Sequence, residues 1–474
     1  MDKLTKQNAL NGHSWVGVFL CVLLFLVCLS GTIAVFHQEF ERWEQPNIVE
    51  MTTISPEVID IAMNNFLEKH PEKSDHLYVV FPTSGIPRFV VENEDVAYFA
   101  DSKGELIETE HSPFTKMLVD LHLYLNLPHS WGMILVSALG AIICTLVVTG
   151  IVAHKRITKD AFRLRRGGNG QQYKIDLHNR FGLWAAPFHL IIGITGAYFG
   201  MAGLIVVLVS QLYYGGDRDA VVKEIFTPDP VIEQPYQKPE LSKAYAQLAE
   251  LAPNHQPIFL SVHEAYTEDQ FIEIYAKAPG KMIYSENYRF DSAGNFIDTA
   301  GYEDGHWGKQ LVYAMYRLHF GDFAGMFSKV LYFVLGLMLT LLCISGTEIW
   351  LAKKADPPVL YRVWQGTVWG TISALALTAL VSLVSDIELV SVFWALMFFN
   401  TVLSVGSGKC GRRFWLFTSG LSVLALLTVY TLVHGTHVFN QASAQLNLPM
   451  FVYALWSIYR AVTLKAKPIS PSQT

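Results

Sequence analysis

The chain is poor in charge. Asp, Glu, Lys and Arg make up 16% of its 474 residues and hydrophobic residues 51%, where an ordinary soluble domain carries about 25% charged residues. This excludes a soluble globular fold, and a net charge of −6 offers nothing to nucleic acid. Cysteine is scarce. Cys21, Cys28, Cys144, Cys343 and Cys410 form no CxxC and no CxxCH, which excludes covalent c-type haem and argues against a disulfide framework. No GxGxxG is followed by an acidic residue at the expected place, and no flavin motif occurs. Any electron used by this protein therefore has an external source.

Long apolar runs are what the chain has instead. Segments able to cross a bilayer, about 20 residues each, fall near 14–36, 130–153, 181–212, 326–352, 362–384, 388–406, 413–434 and 447–463. The first lacks a small-x-small cleavage site and reads as a retained helix. Basic residues test this count. Lys3 and Lys6, the stretch 154–180, Lys353 and Lys354, Lys409 with Arg412 and Arg413, and Arg460 with Lys465 and Lys467 all fall on one side of an eight-span arrangement. The positive-inside rule makes that side cytoplasmic, with both termini inside. The sixth and eighth spans are the shortest.

The expectation is an α-helical polytopic membrane protein with two long outside loops, about 38–128 and 213–318. Each loop holds one amphipathic helix followed by strand-like runs, and they end alike, DSKGELIET at 101–109 and DSAGNFIDT at 291–299. Each reads as a small α+β module. The helices repeat as well. His13, Gly17 and Ser30-Gly31 recur as His178, Gly182 and Thr195-Gly196, 165 residues on. Leu121-His122 recurs as Leu318-His319, and Thr149-Gly150 as Ser345-Gly346. The first 352 residues are thus a tandem duplication, and two halves of like orientation put a pseudo-twofold axis along the membrane normal. The domains expected are a first span (1–37), module 1 (38–128), the second and third spans with a basic loop (129–212), module 2 (213–318), the fourth span (319–355) and a four-helix extension (356–474).

Ionisable side chains in membrane helices are costly and usually functional, and a non-covalent b-type haem needs axial ligands such as histidine. The duplication supplies two related pairs, His13 with His178 at the cytoplasmic face and His122 with His319 at the outer face. Two haems b, each clamped on the axis by one pair, are expected. Gly17, Gly182, Gly140 and Gly336 would give the macrocycles room. Gly31, Gly150, Gly196 and Gly346, each after Ser or Thr, read as helix-packing positions. A single histidine here would more often be an interfacial residue facing headgroups; two repeat-related pairs argue against that. His37 and His189 are the second-choice ligands, and His189 or Trp184 could also relay electrons between tiers about 30 Å apart. His129 and His154 are less persuasive, and His434 and His437, outside the duplicated core, read as interfacial or metal-contacting. Arg180, Arg317 and Lys116 could pair with propionates but more often anchor headgroups.

LHNRFG at 177–182 with ITG at 194–196, the LH pairs and the two DSxGxxI turns resemble the PepSY-associated transmembrane family over about residues 8–355. That family includes iron-regulated inner-membrane proteins and ferric-siderophore reductases of Gram-negative bacteria. The resemblance makes the modules PepSY-like and periplasmic. It implies an inner-membrane oxidoreductase that takes an electron from a cytoplasmic reductase or quinol and reduces a ferric-siderophore or other ferric chelate held between the modules. Two rivals stay open: a diheme carrier to another periplasmic acceptor, and a non-enzymatic membrane protein whose modules bind or regulate a partner.

Overall fold

The computed structural model describes residues 3–154, 162, 170–232, 234–354, 358–406 and 411–464. Most of the basic stretch 154–180, together with Lys409, Cys410, Lys465 and Lys467, lies outside the described residues.

The duplication is visible in where the helices break. The first apolar run is not one straight span. It divides into α1 (Lys3–Phe19) and α2 (Cys21–Ala34), bent by 72° at Leu20. Its repeat divides at Ala185, 165 residues on, into α7 (Gly170–Trp184) and α8 (Ala186–Tyr213). His13 and His178 therefore ride on helices of their own rather than on the ends of the spans. The other pair follows a like plan. α5 (Pro113–Tyr124) carries His122 and ends at left-handed Leu125 before α6 (His129–Ala153). α11 (Trp307–Phe320) carries His319 and ends at left-handed Gly321 before α12 (Gly325–Leu351).

The chain forms two compact units, one of residues 1–46, 112–190 and 333–474, the other of 47–111 and 191–332. In the first, α2 with the short α3 (His37–Glu44), α5 and α6 share a core with the extension, which comprises α13 (Pro358–Ser382), α14 (Leu389–Gly406), α15 (Arg412–His434) and α16 (Gln441–Thr463). The extension is keyed to the first repeat by Trp43. That ring is fully buried, stacks on Tyr430 at 4.4 Å and donates to Asn447 Oδ1 at 2.9 Å, while Tyr430 Oη donates to the Trp43 carbonyl at 2.9 Å. A second tie runs through buried Glu348 on α12, which accepts from Gln365 Nε2 of α13 at 3.1 Å and from Lys174 of α7.

Among the described residues, five helices are long and apolar enough to cross a membrane (α6, α8, α12, α14, and α15 with the turn after it), and the bent α1–α2 pair would be a sixth. The eight spans expected from sequence are not reached. α13 carries Gln365, Thr367, Thr371 and Ser373, and α16 carries Ser443, Asn447, Pro449 and Ser457. Their polar residues are turned into the bundle, where all of these but Asn447 and Pro449 are buried, so their composition falls short of a lipid-facing helix.

The second unit holds the modules. α4 (Pro56–Lys69) precedes strands β1 (Leu77–Val80), β2 (Phe89–Asn93), β3 (Ala97–Ala100) and β4 (Leu106–Thr109). After α9 (Arg218–Ile225), α10 (Leu241–Leu251) precedes β5 (Gln256–His263), β6 (Phe271–Lys277), β7 (Glu286–Phe290) and β8 (Phe296–Thr299). The two modules are not separate jaws. β1 pairs antiparallel with β5, Tyr78 opposite Ser261, giving one eight-stranded sheet in the order β4-β3-β2-β1-β5-β6-β7-β8. Backbone hydrogen bonds fill the seam where a chelate had been expected. Alternate strand residues Leu77, Val79, Leu260, Val262, Ile272 and Ile274 pack with Ile59, Phe66, Ala244 and Leu248 of the helices in one core. The DSxGxxI turns are equivalent: Gly104 and Gly294 have φ of +83° and +72°, and each presses on a helix, a Cβ meeting Ala62 N at 2.9 Å or Ala244 N at 3.0 Å.

The sheet contains one carboxylate poised to titrate. Glu92 on β2 is held up to about 7, chiefly by burial and then by the neighbouring Glu110. A raised carboxyl favours the folded state while protonated; that contribution is full below the ordinary value of 4.5 and is lost as pH rises toward 7. Glu92→Gln is therefore expected to raise the thermal midpoint of the purified protein at pH 8, with a gain that shrinks as pH is lowered to 5, measured by scanning fluorimetry.

Candidate cofactor site

The first unit encloses a cavity of about 460 Å³, within the range of about 300–1,000 Å³ usual for cofactor-sized sites. Four histidines line it: His13, His154, His178 and His189. Aliphatic residues of four helices, among them Leu24, Ile143, Leu146, Leu183, Leu339 and Leu342, supply most of the remaining wall. The His13 and His178 rings stand 6.3 Å apart between centroids and nearly perpendicular, at 87°. A metal held between two imidazoles by bonds of about 2 Å needs centroids about that far apart.

Each ring is prepared in the same way. His13 Nδ1 lies 3.0 Å from the Leu146 carbonyl, so this nitrogen carries the proton and donates it. His178 Nδ1 lies 2.9 Å from Ser345 Oγ, and that hydroxyl already donates to the Leu341 carbonyl at 2.7 Å, so it accepts from the ring. In both rings Nε2 is left with the lone pair. An outer acceptor on one ring nitrogen and a lone pair on the other is the usual state of a metal-ligating histidine.

An Nδ1 partner is also present at the other two expected ligands, each within its own unit. His122 Nδ1 donates to the Val27 carbonyl at 3.0 Å. His319 Nδ1 donates to Thr195 Oγ1 at 2.8 Å, a hydroxyl that itself donates to the Ile191 carbonyl at 2.7 Å.

The Ser/Thr-Gly pairs correct the sequence reading. They are not general packing positions. A Cβ on Gly150 would sit 3.2 Å from His13 Cε1, on Gly346 3.2 Å from His178 Cε1, and on Gly196 3.3 Å from His319 Cε1; on Gly31 it would fall 2.7 Å from His122 Nδ1. Four glycines therefore seat four imidazoles. Only the pairing across helices reveals this, because each glycine is distant in sequence from its histidine. Gly17 and Gly182 line the cavity as expected, with nothing nearer a Cβ than a leucine methyl at 3.8 Å. Gly336 instead packs against Thr32 of α2, with a Cβ 2.7 Å from its hydroxyl, and neither it nor Gly140 lines the cavity.

His189, a second-choice ligand, lies in the cavity wall. It is fully buried there, and neither ring nitrogen makes a hydrogen bond of good geometry, although the Leu335 carbonyl lies nearby. An unsatisfied buried polar group costs about 1–3 kcal/mol, so something in the cavity should meet it. His37 does not line the cavity; its Nδ1 bonds the Ala34 carbonyl at 3.1 Å. Of the basic residues considered for propionates, Lys116 and Arg317 are otherwise engaged, while Arg180 keeps a buried Nε without a hydrogen-bond partner. Arg180 lies over the Trp184 ring, Lys116 pairs with Asp120, and Arg317 donates to the carbonyls of Asp322, Lys281 and Ile283. Lys353, with Asn179 and His154, lines the cavity instead. His434 lies beside Tyr430 and His437 beside Asn440, both away from it. Among the described residues no three His, Cys, Asp or Glu side chains form a metal-ligand cluster, so the candidate ligands are histidine pairs.

The long apolar helices and the histidine-lined cavity in their bundle define a polytopic membrane protein with a sheet domain attached. It belongs to the family described as the PepSY-associated TM region, which its residues 10–353 match. It is also similar to the uncharacterized protein PA4219 of Pseudomonas aeruginosa, 27% identical over 302 residues that cover 60% of this chain and 76% of that one. The family match ends before α13, so the extension lies beyond it.

Proposed function

We propose that this protein is an inner-membrane oxidoreductase carrying two b-type haems, with its sheet domain in the periplasm, and that it reduces ferric chelates of the siderophore class for iron uptake. The observation that carries the reading is the His13–His178 pair: two repeat-related imidazoles, 6.3 Å apart on one cavity, each with Nδ1 engaged. A haem bound there supplies one-electron iron chemistry whose potential is set by its axial ligands, nearby hydrogen bonds and burial. The protein's own residues do the rest. His13 and His178 would hold the iron, Gly17 and Gly182 would leave space for the ring, and the aliphatic wall would exclude water. Lys353 and Asn179 would meet the propionates. The repeat supplies His122 and His319 as the proposed ligands of the second haem. Reduction of the chelated Fe(III) loosens it, because Fe(II) binds hard oxygen donors less tightly. The donor is external, a cytoplasmic reductase or quinol.

The test is a pyridine haemochrome on purified protein made with ample haem, together with reduction of a ferric chelate after dithionite treatment. Close to two haems per chain and reoxidation of the Soret band by the chelate are expected. A haem content near zero would favour the non-enzymatic rival, and haem without chelate reduction would favour a carrier to another acceptor.

A further inference from the structure

The two cavity histidines are related by the repeat, but their Nδ1 partners differ in kind. His13 donates to a main-chain carbonyl, Leu146 O, at 3.0 Å, while the Thr149 hydroxyl stands off at 3.4 Å and donates to Thr145 O at 2.6 Å. His178 donates to a side chain, Ser345 Oγ, at 2.9 Å. Thr149 and Ser345 occupy equivalent places in the repeat, so sequence does not separate them. The same division holds elsewhere: His122 of the first repeat uses the Val27 carbonyl, and His319 of the second uses the Thr195 hydroxyl. First-repeat histidines are held by backbone, second-repeat histidines by a hydroxyl.

We propose that Ser345 is a positioning residue that makes the two axial nitrogens of the cavity haem unequal donors, an inference that rests on the haem reading above. A carbonyl is a stronger acceptor than an alcohol, and a stronger acceptor on Nδ1–H makes Nε2 more basic. His13 is therefore the stronger donor, fixed by the main chain, and His178 the weaker one. The Ser345 hydroxyl is not idle as an acceptor. Its own hydrogen bond to Leu341 O, 2.7 Å long, polarises it, and the chain from ring to hydroxyl to carbonyl is cooperative. The Gly346 backbone beneath Cε1 keeps the ring from turning toward another partner. Remove the hydroxyl and the buried N–H has no acceptor, so the tautomer that leaves Nε2 available is no longer imposed.

The experiment is a redox titration and a haem-retention assay on full-length wild type, Ser345→Ala, Ser345→Thr and Thr149→Val. Loss of an outer-shell partner of a ligating histidine typically costs about 10–100-fold in affinity. Ser345→Ala is expected to weaken haem retention at least about tenfold. It should also shift the oxidised-to-reduced ratio of the cavity haem about tenfold toward reduced at fixed applied potential, which is about 59 mV for one electron. Ser345→Thr keeps the hydroxyl and should restore both values. Thr149→Val should move the potential much less, because the Leu146 carbonyl remains. A haem-loaded Ser345→Ala protein with unchanged potential and retention overturns the inference, as does a Thr149→Val shift equal to that of Ser345→Ala. Wild-type protein without haem overturns the haem reading itself, and the two failures are thereby distinguished.

Discussion

On the two-haem proposal, His178→Ala protein is expected to carry one haem and the wild type two. The loss should fall on the cavity haem, leaving the other spectrally unchanged. His178 and His13 are the two imidazoles whose rings oppose each other at 6.3 Å with Nδ1 already committed, so removing either would leave a haem iron held there with a single histidine. His13→Ala should behave the same way. A further histidine of the cavity, His189, makes the result decisive. His189 is buried there with neither nitrogen in a good hydrogen bond, yet it is not one of the repeat-related pair, since its counterpart is Leu24. Its replacement by Ala is expected to keep both haems. Haem content measured variant by variant checks this. Retention of both haems in His178→Ala together with loss of one in His189→Ala would transfer the ligand role to His189 and end the argument from symmetry.

Gly31→Ala should be among the most damaging single methyls in the duplicated core. Its Cβ would lie 2.7 Å from His122 Nδ1 and closer still to Cε1. The atom in the way is a ring atom held by the Val27 carbonyl at 3.0 Å, not the end of a flexible chain. Either α2 and α5 part or the ring gives up its bond. Overpacking of this kind costs about 1–3 kcal/mol, and a buried N–H left without its acceptor costs about as much again. The expected outcome is a lowered thermal midpoint and loss of the haem assigned to His122, with the cavity haem retained. Gly203→Ala on α8, where a Cβ has nothing within 4 Å, is the comparison and should be silent. Equal behaviour of the two variants would mean that His122 is free to move and is not seated by Gly31.

The sequence by itself determined the membrane class, the duplication, the two α+β modules and the four histidines, because each is written locally. Apolar run length, residue spacing and a turn glycine with positive φ need no knowledge of what packs against what. His13 and His178 were legible because a polar ring at equal places in two apolar repeats stands out against its surroundings. Three things were decided only by tertiary structure. The modules join through β1 and β5 because two sheets with open edges of matching register gain backbone hydrogen bonds by pairing, and nothing in either strand names its partner. The Ser/Thr-Gly pairs seat imidazoles because α1 meets α6 and α2 meets α5, bringing together residues as far apart as His13 and Gly150. α13 and α16 read as ordinary spans in sequence, but helix packing turned their polar faces inward. The division between carbonyl and hydroxyl acceptors belongs to the same class: Thr149 and Ser345 hold equivalent positions, and a few tenths of an ångström in how the helices approach decide which oxygen each ring reaches.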